Sequence, residues 1–219
     1  MINLENFNWG PTSEWYKDQI TKEMFIENIY EKCFPVEEGD IIVDFGASIG
    51  DFIWSIKNKN PKHCFVIEPL DSYFDILQEN LLGYPVSFTK AFLSQEETTK
   101  VDWDGLTSEC RSLTFKQFIK ENNLKHIDFL KTDCEGGEYS IFTEENLDYI
   151  INHVKKISGE WHLSTPELKQ QFRNFRDNYL SKFNNFEVYS VDGIDIKWDL
   201  WNEHFLEYYN EVLIYIDNR

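Results

Sequence analysis

Ile-Ile-Val-Asp-Phe-Gly-Ala-Ser-Ile-Gly, at residues 41–50, is the stretch of sequence that decides the fold. In it an apolar run ends in an acid, Asp44, and two glycines, Gly46 and Gly50, come before a second largely apolar run. This order predicts a buried strand, a tight turn and the first turn of a helix. Because such a turn leaves backbone N–H groups unpaired and glycine lets a ligand approach the backbone, we predict a nucleotide-type binding loop.

Two acidic residues narrow the class of ligand. Asp44 stands where the dinucleotide fingerprint G-x-G-x-x-G has its first glycine, and its carboxylate would repel a pyrophosphate but accept hydrogen bonds from an ammonium or from hydroxyls. Glu68 ends a second apolar run, residues 63–67, at about the spacing of a ribose-hydroxyl acceptor. Together they predict S-adenosylmethionine, with its amino-acid part near Gly46 and its ribose at Glu68. The alternative is that both acids only cap the helices that follow.

A third stretch, residues 127–138, reads Ile-Asp-Phe-Leu-Lys-Thr-Asp-Cys-Glu-Gly-Gly-Glu. It resembles the D-F-L-K-x-D-x-E-G-x-E signature of the FkbM-type family of class I S-adenosylmethionine-dependent methyltransferases. Together with Val-Asp-Phe-Gly-Ala-Ser-Ile-Gly at residues 43–50 and Ile-Glu-Pro at residues 67–69, the resemblance covers most of the chain from about residue 35 to about residue 162. It implies an O-methyltransferase and leaves the acceptor open, since relatives of this type act on quite different hydroxyl-bearing molecules.

The predicted cofactor-binding residues lie at the ends of the first three predicted strands. The first two strand ends and the loop supply Asp44, Gly46, Ala47, Ser48, Gly50, Glu68 and Pro69. The third predicted strand, residues 86–92, ends where the adenine rests in this architecture, which makes Ala91 and Phe92 candidates for the adenine wall. Packing in the core is the alternative for these two residues.

Methyl transfer from a sulfonium is an in-line displacement, so the enzyme must align an acceptor oxygen with the methyl group and remove the acceptor's proton. Asp133 ends the fourth predicted strand, where it would orient the acceptor, act as general base or bind a metal. Glu135 and Glu138 flank a Gly-Gly turn at a predicted helix start, where the helix dipole stabilises carboxylates. For Glu138 we prefer that structural interpretation, whereas the family resemblance makes Glu135 a catalytic candidate.

Glu160, Trp161 and His162 resemble the E-x-H that family members have after the fifth strand. Alternate residues of an extended segment share a face, so Glu160 and His162 are predicted to face one cleft. His162 is the first choice of base because its ordinary pKa lies near neutrality, with Glu160 orienting it. Asp133, Glu160 and His162 could instead share Mg²⁺ or Mn²⁺, which would lower the pKa of the acceptor; the spacing is not diagnostic, and we do not favour this alternative.

Strand and helix patterns alternate along the chain and predict an α/β fold. We expect a doubly wound, mostly parallel, seven-stranded Rossmann-like methyltransferase sheet with helices on both faces and ligands at the carboxyl ends of its strands. Residues 1–34 are predicted to form an N-terminal arm and helix that covers the core, and residues 35–219 one class I methyltransferase domain. The helix is predicted over residues 15–33, with Ser13 as its cap. After the third strand, further strands are predicted at residues 127–133, 153–161, 186–191 and 211–216, a loop or short hairpin at residues 94–109, and pairing of residues 194–198 with the preceding strand.

The composition limits the classes of partner and of structural site that we expect for this chain. Among 219 residues, 39 acidic side chains outnumber 21 basic ones, and the formal net charge of -18 argues against nucleic acid and anionic membrane surfaces. The four cysteines show no C-x-x-C pairing, so neither a structural zinc site nor a disulfide framework is expected. Neither a signal peptide nor an apolar run of the ~18 residues that a membrane span needs is evident. We therefore predict a soluble, cytoplasmic protein.

Three hypotheses of function remain from the sequence. The leading one is an S-adenosylmethionine-dependent O-methyltransferase that acts on a hydroxyl of a sugar, a glycan or another small molecule. The second is a module that binds S-adenosylmethionine without turnover. The third is a nicotinamide-dependent oxidoreductase, which is disfavoured because Asp44 replaces the first glycine of the dinucleotide fingerprint.

Overall fold

The computed structural model describes residues 4–97, 99–103 and 106–219. Its strands are β1 (Ile41–Phe45), β2 (His63–Ile67), β3 (Val86–Thr89), β4 (Ala91–Leu93), β5 (Lys100–Trp103), β6 (Leu106–Glu109), β7 (Arg111–Leu113), β8 (Ile127–Thr132), β9 (Val154–His162), β10 (Phe186–Ser190) and β11 (Glu211–Asp217). Its α-helices are α1 (Glu14–Ile20), α2 (Asp51–Ile56), α3 (Asp71–Asn80), α4 (Phe115–Glu121), α5 (Glu144–His153), α6 (Pro166–Asn178) and α7 (Phe205–Tyr208).

Seven of these strands form one sheet in the order β10-β11-β9-β8-β1-β2-β3. Only β11 runs antiparallel to its neighbours, β9 and β10, and the other pairs are parallel. The predicted fold class, a mostly parallel seven-stranded Rossmann-like sheet, is confirmed. The carboxyl ends of β1, β2, β8 and β9 and the first residue of β11 therefore share one edge of the sheet.

Both faces of the sheet are covered, as the nearly continuous apolar strands indicate. Along β1, Val43 belongs to one buried cluster and Ile42 to the other, because successive strand side chains point to opposite faces. The first cluster is closed by α4, α5 and α6, which contribute residues such as Phe118, Ile150 and Phe172. The second is closed by α1, α2 and α3, which contribute residues such as Ile20, Phe52 and Leu77.

The predicted third strand, residues 86–92, is two strands in the structure. β3 pairs with β2 in the main sheet, and that pairing ends at Thr89, opposite the last residue of β2. The backbone N–H of Glu68 donates to the carbonyl of Thr89 at 3.2 Å, and after one further residue β4 pairs with β7 in a separate two-stranded sheet. Ala91 and Phe92 thus lie beyond the edge of the main sheet rather than in its third strand.

The N-terminal segment differs from the single helix predicted over residues 15–33. Ser13 caps α1 as predicted, but a π-helix (Thr21–Glu27) and a 3-10 helix (Ile29–Glu31) follow it. Between them Asn28 adopts a left-handed conformation, with φ 54°, which ends the helix. Met24, Ile29 and Tyr30 are buried in the same cluster as the main-sheet residues of β1 and β2. Residues 1–3 lie outside the described chain, and the domain boundary at residue 34 stays a prediction.

The remaining expectations concern the connections. β5 and β6 form an antiparallel hairpin within residues 94–109, as predicted, although Gly105 lies outside the described residues. The predicted pairing of residues 194–198 is reduced to one isolated bridge, Tyr189 with Asp195. Among the helices of the described chain, none combines the length and the apolar character that crossing a membrane requires.

Candidate active site

The loop between β1 and α2 is built on left-handed backbone conformations at Gly46, Ser48 and Gly50. A Cβ atom on Gly46 would lie 1.7 Å from the carbonyl oxygen of Asp133, so only glycine lets the loop approach the end of β8 this closely. The backbone N–H of Gly46 donates to the carbonyl of Ile67 at the end of β2, at 3.1 Å. The loop therefore joins the three sequence motifs at one edge of the sheet.

A cavity of about 450 Å³ opens at this edge, next to the loop. Six of the nine predicted cofactor-binding residues line it, together with two of the four predicted catalytic residues. These eight residues are Gly46, Ser48, Glu68, Pro69, Ala91, Phe92, Asp133 and Glu135. The cavity has the size of a small-molecule site.

Asp44 does not line this cavity, and the predicted contact of its carboxylate with the cofactor stays a prediction. Its side chain is fully buried, and its Oδ1 atom lies 3.1 Å from Nζ of Lys131. The two residues are register partners on the parallel strands β1 and β8, so their side chains leave the sheet on the same face. Nζ of Lys131 also donates to the carbonyl oxygen of Gly46 at 2.6 Å. Asp44 thus supports the loop from below through Lys131.

Lys131 keeps its charge in this buried position. Burial alone would lower the pKa of Lys131, but the carboxylates of Asp44, Asp133 and Asp51 outweigh it and hold the pKa above its usual range. Lys131 belongs to the quoted motif of residues 127–138, yet the sequence pattern did not mark it as a functional residue. Its acidic partner on β1 is adjacent only in the folded sheet.

Ala47 and Gly50 shape the loop without lining the cavity. Ala47 is buried. Gly50 caps α2 in a left-handed conformation, and a Cβ atom there would lie 3.0 Å from Cδ1 of Leu77. Both residues were predicted to bind the cofactor, and that contact stays a prediction.

Glu68 both lines the cavity and holds its rim. Its Oε2 atom accepts the backbone N–H of Ser48 at 2.9 Å, and its Oε1 atom accepts that of Leu70 at 2.8 Å. Burial raises the pKa of Glu68 to about 8 despite these two hydrogen bonds. The alternative that Glu68 caps the next helix is therefore partly realised, since Leu70 is the cap residue of α3. Its contact with a ribose stays a prediction.

Two tyrosines of the N-terminal segment reach the site, and the sequence analysis missed both roles. The hydroxyl of Tyr16 lies 2.8 Å from Oγ of Ser48, and its ring stacks on Tyr73 across the cavity rim. The hydroxyl of Tyr30 donates to Oδ2 of Asp133 at 2.8 Å. These contacts join residues 32 and 103 positions apart, so no local pattern indicates them.

His162 lies beside Asp133 and Glu135, but its orienting partner is Glu138. Oε1 of Glu138 accepts the backbone N–H of His162 at 2.8 Å and lies 3.2 Å from Nδ1 of its ring. The predicted role of Glu160 as the orienting carboxylate is thus taken by a residue that the sequence assigned to a helix start. The physical reason is that Glu138, fully buried in the 3-10 turn Gly137–Ser140, points into the backbone of β9.

The protonation state of His162 also differs from the expectation. Burial alone would lower the pKa of His162, but the hydrogen bond to Glu138 and the charges of Glu138, Asp133 and Glu135 raise it to about 10. At neutral pH the ring of the ligand-free chain therefore carries a proton on each nitrogen. It is an imidazolium among carboxylates, and not the neutral base that an ordinary histidine pKa suggests.

Six carboxylates form what we call the acidic cluster. Asp133, Glu135, Glu138, Glu160 and Glu211 lie near the ring of His162, and the charge of Glu23 interacts with those of Asp133 and Glu211. Burial, with the charge of Asp133 next, raises the pKa of Glu160 well above its usual range, and burial raises the pKa of Glu23 to about 7. The predicted metal ligands separate into two sets that share His162. The first set is Asp133, Glu135 and His162, and the second is Glu160, His162 and Glu211. In each set, one potential metal-binding atom per residue lies within 4.8 Å of those of the other two residues.

Residues 44–188, more than half of the chain, match the family model described as the methyltransferase FkbM domain. This chain belongs to the FkbM methyltransferase family. The resemblance seen in the sequence motifs is confirmed. The match begins at Asp44 and includes β8, β9 and four of the six carboxylates of the acidic cluster. The other two, Glu23 and Glu211, lie outside the matched residues.

Individual relatives are distant. "Methyltransferase 1" of Beauveria bassiana (strain ARSEF 2860) is 24% identical over 190 residues, which cover 68% of this FkbM-family chain and 76% of the relative. A candidate rRNA-methylase of Clostridium thermocellum has a similar fold, with a TM-score of 0.50, 11% identity, and coverage of 94% of this chain and 98% of that one. A complex between the Trm112 methyltransferase activator and a candidate methyltransferase of Haloferax volcanii also has a similar fold, with a TM-score of 0.51, 12% identity, and coverage of 93% of this chain and 94% of that one. At such identities the solved structures show the fold alone.

Proposed function

We propose that this FkbM-family methyltransferase uses S-adenosylmethionine as its methyl donor and binds it in the cavity beside the glycine loop. The observation that carries the proposal is the convergence of three separate motifs on that cavity: the loop at Gly46, Glu68 after β2, and Asp133 after β8. Glu68, Ala91 and Phe92 line the cavity. In this proposal Glu68 would accept hydrogen bonds from the ribose hydroxyls, and Ala91 and Phe92 would form an apolar wall for the adenine. The second hypothesis, a module that binds the donor without turnover, uses the same cavity.

We assign O-methylation of a small-molecule or carbohydrate hydroxyl as the reaction. Asp133 and Glu135 line the cavity, where they would hold the acceptor hydroxyl against the transferable methyl group. The oxygen forms a bond to the methyl carbon as the carbon–sulfur bond breaks, and sulfur keeps the electron pair. The proton of the hydroxyl passes to a carboxylate of the acidic cluster. His162 and Glu160 lie next to these two carboxylates and set the charge around them.

The charge of the chain supports a small acceptor rather than a polyanion. The formal net charge is -18, and the acidic cluster adds local repulsion against phosphates at the site itself. Because one similar fold belongs to a candidate rRNA-methylase, the exclusion of nucleic acid stays a prediction. A nicotinamide cofactor is disfavoured because Asp44 replaces the first glycine of the dinucleotide fingerprint.

The direct test of the donor is calorimetric titration of the folded chain with S-adenosylmethionine and S-adenosylhomocysteine. We expect one binding site per chain, and weaker binding of both ligands by Glu68→Gln, since glutamine cannot accept both backbone N–H groups. Folded protein that binds neither ligand would reject the proposal.

The acceptor is tested separately, by incubating the protein with S-adenosylmethionine and a panel of hydroxylated small molecules and reading methylation by mass spectrometry. RNA in the same panel tests the prediction that nucleic acid is not a substrate.

A further inference from the structure

One imidazole nitrogen and two carboxylate oxygens, all able to bind a metal ion, lie close together at the edge of the cavity proposed for S-adenosylmethionine, which we call the donor cavity. Nε2 of His162 lies 3.4 Å from Oε2 of Glu135 and 3.8 Å from Oδ1 of Asp133. Ligands of one divalent ion with bonds of about 2.1 Å are separated by roughly 3 Å when adjacent and roughly 4.2 Å when opposite. The separations seen here fall in that range. We propose that Asp133, Glu135 and His162 form a binding site for one divalent cation.

His162 is prepared for this role by its burial and by its partner. Its side chain is 7% exposed, its Nδ1 atom is held by Glu138, and Nε2 satisfies hydrogen-bond geometry with none of the described residues. A histidine that binds a metal through one ring nitrogen typically has the other held by a carboxylate or a carbonyl. Glu138, itself fully buried, thereby aims Nε2 at the two carboxylates, where a bound cation would take the place of the proton on that nitrogen.

Asp133 is oriented in the same way from the opposite side of the cavity edge. Tyr30 donates its hydroxyl hydrogen to Oδ2, which leaves Oδ1 as the oxygen that faces His162. Carboxylates that bind metals are commonly held by such outer hydrogen bonds. Two of the three proposed ligands therefore have a buried side chain that fixes which atom faces the ion. Neither Tyr30 nor Glu138 lines the donor cavity, so an orienting role accounts for both.

Glu135 is brought into the site by an uncommon backbone conformation. Its φ is 51° and that of Gly136 is 104°, so two successive left-handed residues turn the chain after β8. A left-handed conformation costs a glutamate roughly 1 kcal/mol, and such costs concentrate at functional sites. Among the described residues, the side chain of Glu135 has His162 as its ion-pair partner. Its half-exposed position would leave the ion open to a further ligand.

The ligand set favours a particular class of ion. One imidazole nitrogen and two carboxylate oxygens suit Mn²⁺ and similar transition metals better than Ca²⁺, which binds oxygen ligands. If the proposed function holds, the open position takes the acceptor hydroxyl, and the ion lowers the pKa of that hydroxyl. The set differs from the three residues considered from the sequence, because Glu135 forms the ion pair with Nε2 of His162, whereas Glu160 belongs to the second set, with Glu211 and His162.

The test measures Mn²⁺ binding to chelator-treated protein by electron paramagnetic resonance, which detects free Mn²⁺. We expect one ion per chain for the natural sequence, and affinity reduced at least about 10-fold in Glu135→Gln and in Tyr30→Phe. Glu211→Gln is the matched control, since it removes one charge of the acidic cluster but no proposed ligand; its affinity should change by less than about 3-fold. Circular dichroism confirms that each variant is folded.

Two results would overturn the cation site. One is the absence of stoichiometric Mn²⁺ binding by the natural chain, and the other is an equal loss of affinity in Glu211→Gln and Glu135→Gln, which would indicate diffuse attraction by the cluster. Titration of the same samples with S-adenosylhomocysteine separates this proposal from the proposed function. Mn²⁺ binding without S-adenosylhomocysteine binding supports the cation site and rejects the proposed methyl donor. S-adenosylhomocysteine binding without Mn²⁺ binding supports the proposed methyl donor and rejects the cation site.

Discussion

The two halves of the proposed site are held together differently. We call the half around the glycine loop, where we propose that S-adenosylmethionine binds, the donor side, and the half around His162 and the acidic cluster, where we propose that the acceptor hydroxyl binds, the acceptor side. On the donor side most polar contacts of the loop involve a backbone group, whereas on the acceptor side most contacts join charged side chains. The glycine loop is fixed by hydrogen bonds from its N–H groups to Ile67 and Glu68 and by Lys131 beneath it. The acidic cluster instead gathers carboxylates from the N-terminal segment, the turn after β8, β9 and β11 around one histidine. A surface built from backbone is shaped when the protein folds, while a cluster of charges depends on its protonation and its ligands.

The largest expected effect on stability comes from removing the charge of Lys131, which supports the glycine loop on the donor side. Lys131→Met removes the cation that faces Asp44 and Asp51, and it should reduce the free energy of unfolding by about 3–5 kcal/mol, since removal of one partner leaves buried carboxylates uncompensated. Urea denaturation measures this. The double variant Lys131→Met with Asp44→Asn should recover part of the loss. A double variant no more stable than the single one would contradict the pairing.

A second substitution tests whether the loop must approach β8 closely. Gly46→Ala would place its Cβ atom against the carbonyl of Asp133 and should cost about 3 kcal/mol of unfolding free energy, from overpacking and the left-handed backbone together. Gly39→Ala is the matched control, because Gly39 has a similar φ of 82° but no atom within 4 Å of a Cβ. It should cost only about 1 kcal/mol. Equal costs would show that backbone conformation, and not the approach, sets the requirement for glycine.

The same contrast explains how much could be predicted from the sequence. The residues on the donor side lie in short contiguous motifs, because a strand, a turn and a helix start use neighbouring residues. The fold class was therefore predicted, and six of the nine predicted cofactor-binding residues line the cavity. Asp44 is the exception, since its position on β1 was predicted but its partner on β8 appears only through the strand register.

The acceptor side was predicted less well because its contacts are long-range. Glu138 and His162 are 24 residues apart, and a glutamate after a Gly-Gly turn has the same local pattern whether it caps a helix or reaches β9. Tyr30 lies 103 residues from Asp133, in a segment whose helical spacing predicted one long helix. The left-handed Asn28 redirects the chain there, and nothing in the apolar periodicity marks that break.

A third prediction sharpens the acceptor side of the comparison. In metal-free Glu138→Gln the pKa of His162 should fall from about 10 toward its ordinary value of about 6.5, because the hydrogen bond and the nearest negative charge are lost. Titration of the ring by nuclear magnetic resonance measures this. Since the raised pKa stabilises the folded state of the natural chain, that contribution is present below about pH 6.5 and disappears as the pH rises through about 10.

The control for this prediction is a surface pair of the same composition. Oε2 of Glu207 lies 3.3 Å from Nδ1 of His204, and both side chains are exposed. Glu207→Gln should change the unfolding free energy by less than about 0.5 kcal/mol. An unchanged pKa of His162 in Glu138→Gln would show that the other carboxylates of the cluster hold the proton, and Glu138 would lose its assigned role.

The smallest expected effect lies where the two sides meet, at the N-terminal segment. Tyr16→Phe removes the hydroxyl that contacts Ser48 but keeps the ring stacked on Tyr73. One hydrogen bond of this kind contributes about 0.5–1.5 kcal/mol, so affinity for S-adenosylhomocysteine should fall about 2-fold to 10-fold by calorimetry, with little change in Mn²⁺ binding. Tyr208→Phe, at an exposed position, should change neither. If Tyr16→Phe weakened Mn²⁺ binding as much as nucleoside binding, the segment would couple the two sides, and their separation into a backbone-built and a charge-built half would fail.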